Sequence, residues 1–337
     1  MHVERINTPD WEMIESHSDA MVCHSRAWFL FLAATQKIEP VFLRIHHEDS
    51  ESIFCGGIVR KFGLKILGSP FPGWSTSYMG CLGTIDRITA LTAIRDYAFR
   101  HLGVVQFECL DAQNDLARVR IAGWNHRIFQ NFLLDLTKSE AELQSALARD
   151  AKYSLSKGKE RGVRISLDPP DNEFAGKYEE QMIDVFARQG LRPPYGHDRI
   201  AKLLEHLRPG TSILTGWAQN EAGEVIATNI SVGNRNRAYL WGAALDRQFI
   251  KLRPTEILQW EMISEWKRRG TLSFDFGGAG EYKRKYGGDR IETPFVRFSK
   301  YPVLESLRNY GQKLYKWRQR RAAVHDKEEV DGGSDSQ

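Results

Sequence analysis

Metal-ligand spacing is missing from this chain of 337 residues. Its four cysteines, Cys23, Cys55, Cys81 and Cys109, form no CxxC pair. So few thiols, so far apart, argue against a disulfide scaffold or a zinc ribbon and read as small buried apolar residues. The histidines are scattered as well, and His46-His47 has no partner at ligand spacing, so no metal is expected. No stretch of about 18 uncharged apolar residues occurs, which leaves no candidate for a membrane-spanning helix. The opening MHVERINTPDWEMIESHSD lacks the apolar centre of a secretory leader. With few cysteines, that points to a cytoplasmic protein, either free or at the inner face of the membrane. GxSxG, Walker and GxGxxG strings are absent too. That removes the nucleophile-elbow, P-loop and dinucleotide fingerprints. A net charge of only +4 argues against a protein that coats nucleic acid with its whole surface.

What remains is an average globular composition, 42% hydrophobic and 27% charged, in a chain long enough for two domains. The chain states one pattern twice. In the first statement, 41–48 and 52–61 read as strands around a polar turn. A Gly/Pro-rich stretch and SYMG (77–80) follow, then a one-faced helix over 88–102 and a strand over 104–110. In the second, SILTGWAQ (from 212), VIATNISVG and AYLWGAAL (238–245) read as strands. Pro254 opens a helix that closes at KRRG, and TLSFDFGG follows as a strand. Phe107–Glu108 aligns with Phe274–Asp275. A repeat this long is a duplicated domain, not a solenoid. Its antiparallel strands feeding a helix predict mixed α/β sheets. Between the copies, 124–136 reads as a strand and 138–162 as helical, with a Ser139/Glu142 capping box. VRISLD (163–168) reads as a strand and 178–187 as a helix. The tail from about 323 is polar and expected to be disordered.

The string FDFGGAGEYKRKYGG (274–288) is similar to the signature of FemAB-like proteins, a strand followed by aromatic–Lys–x–x–aromatic–Gly. Here that signature reads Tyr282-Lys283-Arg284-Lys285-Tyr286-Gly287. LRPTEILQWEMISEWKRRG, LARDAKYSLSKGKERGVRI and DVFARQGLRPPYGHDRI resemble the helices and loops around it. The resemblance to this branch of the GNAT superfamily implies α/β architecture with tandem duplicated GNAT-like domains. The divisions are 1–123 for the first and 124–300 for the second, then a basic amphipathic helix (301–322) and a tail (323–337). It also implies an acyltransferase that moves an acyl or aminoacyl group onto an amine of a peptidoglycan or polysaccharide precursor. No tightly bound cofactor is implied; acyl-CoA or aminoacyl-tRNA would be the co-substrate. One departure stands out. Asp246-Arg247-Gln248-Phe249-Ile250-Lys251-Leu252-Arg253-Pro254 occupies the place of the glycine-rich turn that lets backbone N–H groups reach a pyrophosphate, and it holds no glycine. Arg247, Lys251 and Arg253 are left as side-chain phosphate ligands.

Acyl transfer needs a held donor, an oxyanion stabiliser and an unprotonated amine. With the resemblance, Lys283 is the candidate for the oxyanion or a phosphate; alone, it reads as a solvated lysine. Asp275 serves as a base or caps a nearby loop, and Glu108 at the matching place hints at structure for both. Tyr239 and Trp241 share one face of their strand, beside Gly242, as ligand wall or as core. Arg188, Arg192 and Tyr195 are candidates to grip an acceptor, with Tyr282 beside them. GSPFPGWSTSYMG (68–80) is either a binding loop over the cleft or a tight crossover. Residues 307–321 alternate basic and aromatic, as suits an anionic membrane, tRNA or a merely solvated helix. Two other readings stay open: acyl-CoA-dependent N-acetylation of an amino sugar or small molecule, and a non-catalytic module binding glycan or RNA.

Overall fold

The computed structural model describes residues 1–207, 211–278 and 280–305 and contains one run of elements twice. The first run is β1 (His2–Ile6), α1 (Trp11–Ser16), α2 (Arg26–Gln36), β2 (Glu39–His47), β3 (Ser50–Lys61), β4 (Leu64–Ser69), β5 (Gly80–Gly83), α3 (Arg87–His101), β6 (Gln106–Cys109), α4 (Leu116–Ile121) and β7 (His126–Asp135). Helices α5 (Glu140–Ala146) and α6 (Arg149–Glu160) lead to the second. It comprises β8 (Arg164–Leu167), α7 (Asp171–Ala187), α8 (His197–His206), β9 (Ile213–Gln219), β10 (Val225–Gly233), β11 (Ala238–Leu245), α9 (Pro254–Arg268), β12 (Ser273–Asp275) and β13 (Asp289–Ser299).

The strands form one sheet in the order β1-β2-β3-β4-β6-β13-β7-β12-β11-β10-β9-β8, with β5 pairing β3. The order reads alike from both ends, because each run's last strand sits beside the other run's parallel pair. β7 closes the first run yet pairs β12, and β13 closes the second yet pairs β6. Only β4·β6 and β11·β12 are parallel, and α3 and α9 make the crossovers that parallel strands require. Phe107 and Phe274 hold matching places in those parallel pairs, as the expected alignment has it. The mixed α/β architecture expected from the sequence is the one observed.

Several local expectations need correction. The first run's third strand is β4, not SYMG: Leu64–Ser69 lies hidden in what reads as a Gly/Pro-rich stretch, and its apolar run is too short for periodicity to reveal. The helical stretch after Ser139 is two helices, broken at Leu147, whose backbone is extended with ψ 133°. The capping box is as expected, with Glu142 N–H donating to Ser139 Oγ at 3.3 Å and Ser139 N–H donating to Glu142 Oε2 at 2.8 Å. Helices α1, α2, α4 and α8 were not expected. In α8 the helix starts just after Pro193-Pro194 and Gly196, residues that read as a continuing loop. The basic helix over 307–321 and the tail lie outside the described residues.

Helices cover both faces. On one, α2, α7 and α8 enclose a core shared by the two runs, in which Trp28 and Phe31 meet Tyr178, Tyr239 and Trp241. On the other, α3 packs over the first run and α6 with α9 over the second. In α9, Ile257, Leu258, Met262, Ile263 and Trp266 face the sheet, and Trp266 Nε1 donates to Ser231 Oγ at 2.7 Å. Helix α6 can approach because Gly158 carries no side chain: a Cβ there would lie 1.9 Å from Ile257 Cδ1 and 3.1 Å from the Leu252 carbonyl. Gly158→Val should lower stability by about 1–3 kcal/mol, read as the urea midpoint. An unchanged midpoint would mean that the helix contact is slack.

Candidate active site between β11 and β12

Strands β11 and β12 are parallel partners over only two positions, Ala238↔Phe274 and Tyr239↔Asp275. Two local features part them beyond that point. In β11, Ile230 of β10 faces Gly242 while Ser231 faces Leu240, so Trp241 is an extra, bulged residue that bends the strand. In β12, Gly277 and Gly278 take φ of 64° and 96°, a left-handed turn that residues with side chains resist. Ladder pairing between the two strands therefore ends at Asp275, and this interruption is the wedge of the site. The first run has the same parallel pair but no wedge. β4 and β6 pair from Ile66↔Gln106 to Ser69↔Cys109, Leu110 N–H donates to the Ser69 carbonyl at 2.9 Å, and Met79 bridges Asp111.

Asp275 is wholly buried at the apex. Its Oδ1 accepts from Asn131 Nδ2 on β7 and from the Gly277 N–H at 2.8 Å, while Oδ2 has no partner. Asn131 also offers its amide group to Tyr78 Oη at 3.3 Å, and its Oδ1 accepts the Gly278 and Phe132 N–H groups at 2.8 and 3.0 Å. One asparagine therefore fastens the loop before β5, strand β7, the end of β12 and the glycine turn. Burial pushes the Asp275 carboxyl above its ordinary value, opposed by the Gly277 N–H and by Arg237. Arg237 lies over the Tyr78 ring at 5.6 Å and donates to Ser273 Oγ at 3.3 Å.

Lys283 falls in a 3₁₀ turn over Glu281–Tyr286 and is buried, not solvated. Its ammonium donates to the Gly277 carbonyl, and burial lowers its pKa while Asp275 opposes the shift. Tyr286 of the same turn stacks on Phe276 at 5.3 Å, which fixes the turn against the core. Tyr282 is 65% exposed. Opposite lies an aromatic wall. Tyr195 packs on Trp241 at 4.6 Å and its hydroxyl meets Tyr178 Oη at 3.0 Å. Gly242 makes that approach possible, since a Cβ there would sit 1.9 Å from Tyr178 Oη. The Trp241 Nε1 is buried without an acceptor. Tyr239 is buried beside Cys23, with Sγ and Oη 3.7 Å apart.

Of the residues singled out from sequence, Asp275, Lys283, Tyr195, Tyr239 and Trp241 come together around this wedge. Arg188 does not: it pairs with Asp184 at 2.7 Å, and Arg192 lies exposed in the loop between α7 and α8. Arg247 and Lys251 are exposed on the 3₁₀ turn Arg247–Leu252, and Arg253 caps α9 with φ 60°. Three N–H groups there are already used: Gln248 donates to Asp246 Oδ1 at 3.1 Å, and Phe249 and Arg253 donate to the Asp246 and Ile250 carbonyls at 3.1 Å. Glu256 in the first turn of α9 pairs with Lys285 at 2.9 Å. The loop 68–80 does reach the second run, through the Tyr78 ring under Arg237 and through the Gly73 carbonyl, which accepts from Arg199 at 3.0 Å. Asn131, Tyr78 and Arg199 were not anticipated. For Asn131 a signal existed, an amide that stands with Gln130 inside the run FQNFLL.

Glu108, at the place matching Asp275, has a different fate. It is buried against Arg297 of β13 at 3.5 Å, its direct cross-strand neighbour. Asp275 faces Leu133 instead.

With this geometry in place, the relatives can be compared. Residues 145–284 match the family described as an acetyltransferase (GNAT) domain. That stretch, from the end of α5 to the Lys283 turn, is similar to a GNAT domain, and the chain as a whole shares its fold with the solved structures that follow. FemX is similar over 90% of this chain and 99% of its own, with a TM-score of 0.69 at 11% identity. A conserved protein of unknown function from Bacteroides thetaiotaomicron matches over 89% and 100%, at 0.57 and 10%. The C-terminal domain of a lysylphosphatidylglycerol synthetase from Agrobacterium fabrum matches over 80% and 87%, at 0.51 and 12%. No curated protein matches.

Because the folded protein holds a proton on Asp275 where the unfolded chain has lost it, stability falls as pH rises from 3.8 through the raised folded value. Asp275→Asn keeps the Oδ1 acceptor and removes the charge. In urea unfolding across pH, the variant should gain on the parent as pH rises and converge with it in acid. Parallel curves would mean that Asp275 carries no burial penalty.

Proposed function

We propose that the protein transfers an acyl or aminoacyl group onto an amine, with the reacting carbonyl seated in the wedge between β11 and β12. The observation that carries this is the pairing of an opened wedge with a buried ammonium, Lys283, at its mouth. A carbonyl under attack by an amine develops negative charge on oxygen, and a desolvated, pre-positioned cation stabilises that charge more than water does. Lys283 supplies the cation. Asp275, through Gly277 and Asn131, holds the turn that aims it. In this reading Asp275 is a positioning residue, since its bonded oxygen is committed to the turn. The wall of Tyr195, Tyr239 and Trp241 holds the acyl portion or the acceptor and excludes water.

Attack by the amine forms the new C–N bond and breaks the bond from carbonyl carbon to the donor's oxygen or sulfur. The amine's proton leaves with the departing donor or to solvent. For the donor we favour aminoacyl-tRNA. The loop before α9 spends the N–H groups of Gln248, Phe249 and Arg253 on its own turn, and Glu256 puts a carboxylate in the helix's first turn, where the helix dipole would otherwise favour phosphate. Arg247, Lys251 and Arg253 then meet the donor's phosphates as side chains. The acceptor we propose is an amine of a cell-envelope precursor, in keeping with the named relatives. N-acetylation from acyl-CoA is the second reading, favoured by the family description of residues 145–284.

The test is single-turnover transfer from charged tRNA and, in parallel, from acetyl-CoA to amine acceptors of peptidoglycan and amino-sugar type. Lys283→Met should slow transfer by about 10²-fold or more while leaving donor affinity and the thermal midpoint near those of the parent. Transfer at the parental rate in Lys283→Met would remove Lys283 from the mechanism. Transfer from acetyl-CoA alone would replace the proposed donor.

A further inference from the structure

The β3–β4 hairpin closes with the two residues Phe62-Gly63 between the paired Lys61 and Leu64. Both have positive φ, 51° and 77°. This turn class favours Asn-Gly or Asp-Gly, and a bulky residue in the left-handed region is strained. Here that place holds a phenylalanine that is completely exposed. Among the described residues nothing packs on its ring, so neither packing nor turn chemistry there accounts for it.

The surroundings of the turn form a continuous rim. Lys65 Nζ donates to the Leu102 carbonyl at the end of α3 (3.4 Å), Val105 N–H donates to the Lys65 carbonyl (3.0 Å), and Lys300 N–H donates to the Val105 carbonyl (2.9 Å). Lys300 Nζ reaches the Phe99 carbonyl at 3.1 Å. Hairpin tip, helix end and the end of β13 are thus stitched together at one edge. The rim adds three more exposed apolar side chains, Leu64 (40%), Tyr301 (50%) and Val303 (61%). Its charges are mostly of one sign: Lys65, Arg100 and Lys300 join Arg60 and Lys61 of the hairpin. Against Arg60 stands Glu39, at 3.7 Å, and Glu39 also holds Arg5 at 3.2 Å, so one carboxylate answers two cations.

We propose that this rim docks on an anionic lipid surface, with Phe62 and Leu64 entering the headgroup boundary and the lysines meeting lipid phosphates. An apolar tip inside a cationic collar matches such a surface, where insertion and charge attraction each contribute and neither alone anchors firmly. A protruding tip suits a deformable bilayer better than the flat patch a rigid protein partner needs. The docking is independent of the acyl-transfer chemistry. Its test reads out at Phe62.

The four native cysteines are buried, so Phe62→Cys in the full chain offers one accessible thiol for a polarity-sensitive dye. The dye should shift to the blue with vesicles of phosphatidylcholine mixed with phosphatidylglycerol, and not with phosphatidylcholine alone. The same dye at Ile183→Cys, on α7, should not shift. Unlabelled Phe62→Ser should partition onto the mixed vesicles about tenfold less than the parent with an unchanged thermal midpoint. Vesicle binding without a shift at position 62, no binding at all, or a shift that grows with protein concentration in the absence of lipid would each overturn the proposal, the last in favour of a second copy of the chain.

Discussion

A single buried amide, Asn131, links the parts of this protein that matter for its cleft. Its four hydrogen-bonding contacts, to Tyr78, Asp275, Gly278 and Phe132, join the first run's loop, the exchanged strand β7 and the glycine turn. In a site of low dielectric such a network is rigid when satisfied and costly when broken. Without it, Asp275 would lose one of the two donors to its Oδ1, and Gly278 would lose its hold on the sheet. The strand exchange therefore has a local consequence: the second run's cleft is fastened by a residue of the strand that closes the first.

Duplication followed by divergence shows in how the two parallel pairs are finished. The first is zipped by continued hydrogen bonding, and its carboxylate, Glu108, is opposed by Arg297 across the strands. The second is interrupted by the Trp241 bulge and the Gly277–Gly278 turn, and Leu133 lies across from its carboxylate where the first has Arg297. A buried charge left short of partners is costly unless something else needs it. In the second run that need is a lysine held close by. One copy has kept the carboxylate as a structural ion pair, and the other has kept it at an open wedge.

The sequence carried the fold better than the cleft. Long one-faced helices such as α3 and α9, and alternating strands such as β10, announce themselves by period, and the match of Phe107 with Phe274 exposed the repeat. Short elements did not: β4 is six residues between glycines, and α8 follows a Pro-Pro-Tyr-Gly string that reads as loop. Nor does order along the chain reveal that β7 and β13 change places, because pairing is a property of the whole sheet. Within the cleft, Lys283, Asp275 and the aromatic wall were legible from residue type and the family signature. Whether Lys283 was solvated or buried was not, since that depends on Tyr286 stacking on Phe276. Asn131 was missed because one polar residue in a strand has no spacing to report.

The most direct test of the Asn131 fastening is hydrogen exchange at the glycine turn in the parent and in Asn131→Ala. In the parent the Gly278 amide should be strongly protected, as an N–H bound to a buried carbonyl. In the variant it should exchange far faster, together with Gly277, while amides of β9 and β10 keep their protection. Protection of Gly278 that survives the substitution would contradict the account, as would loss of protection across the entire sheet.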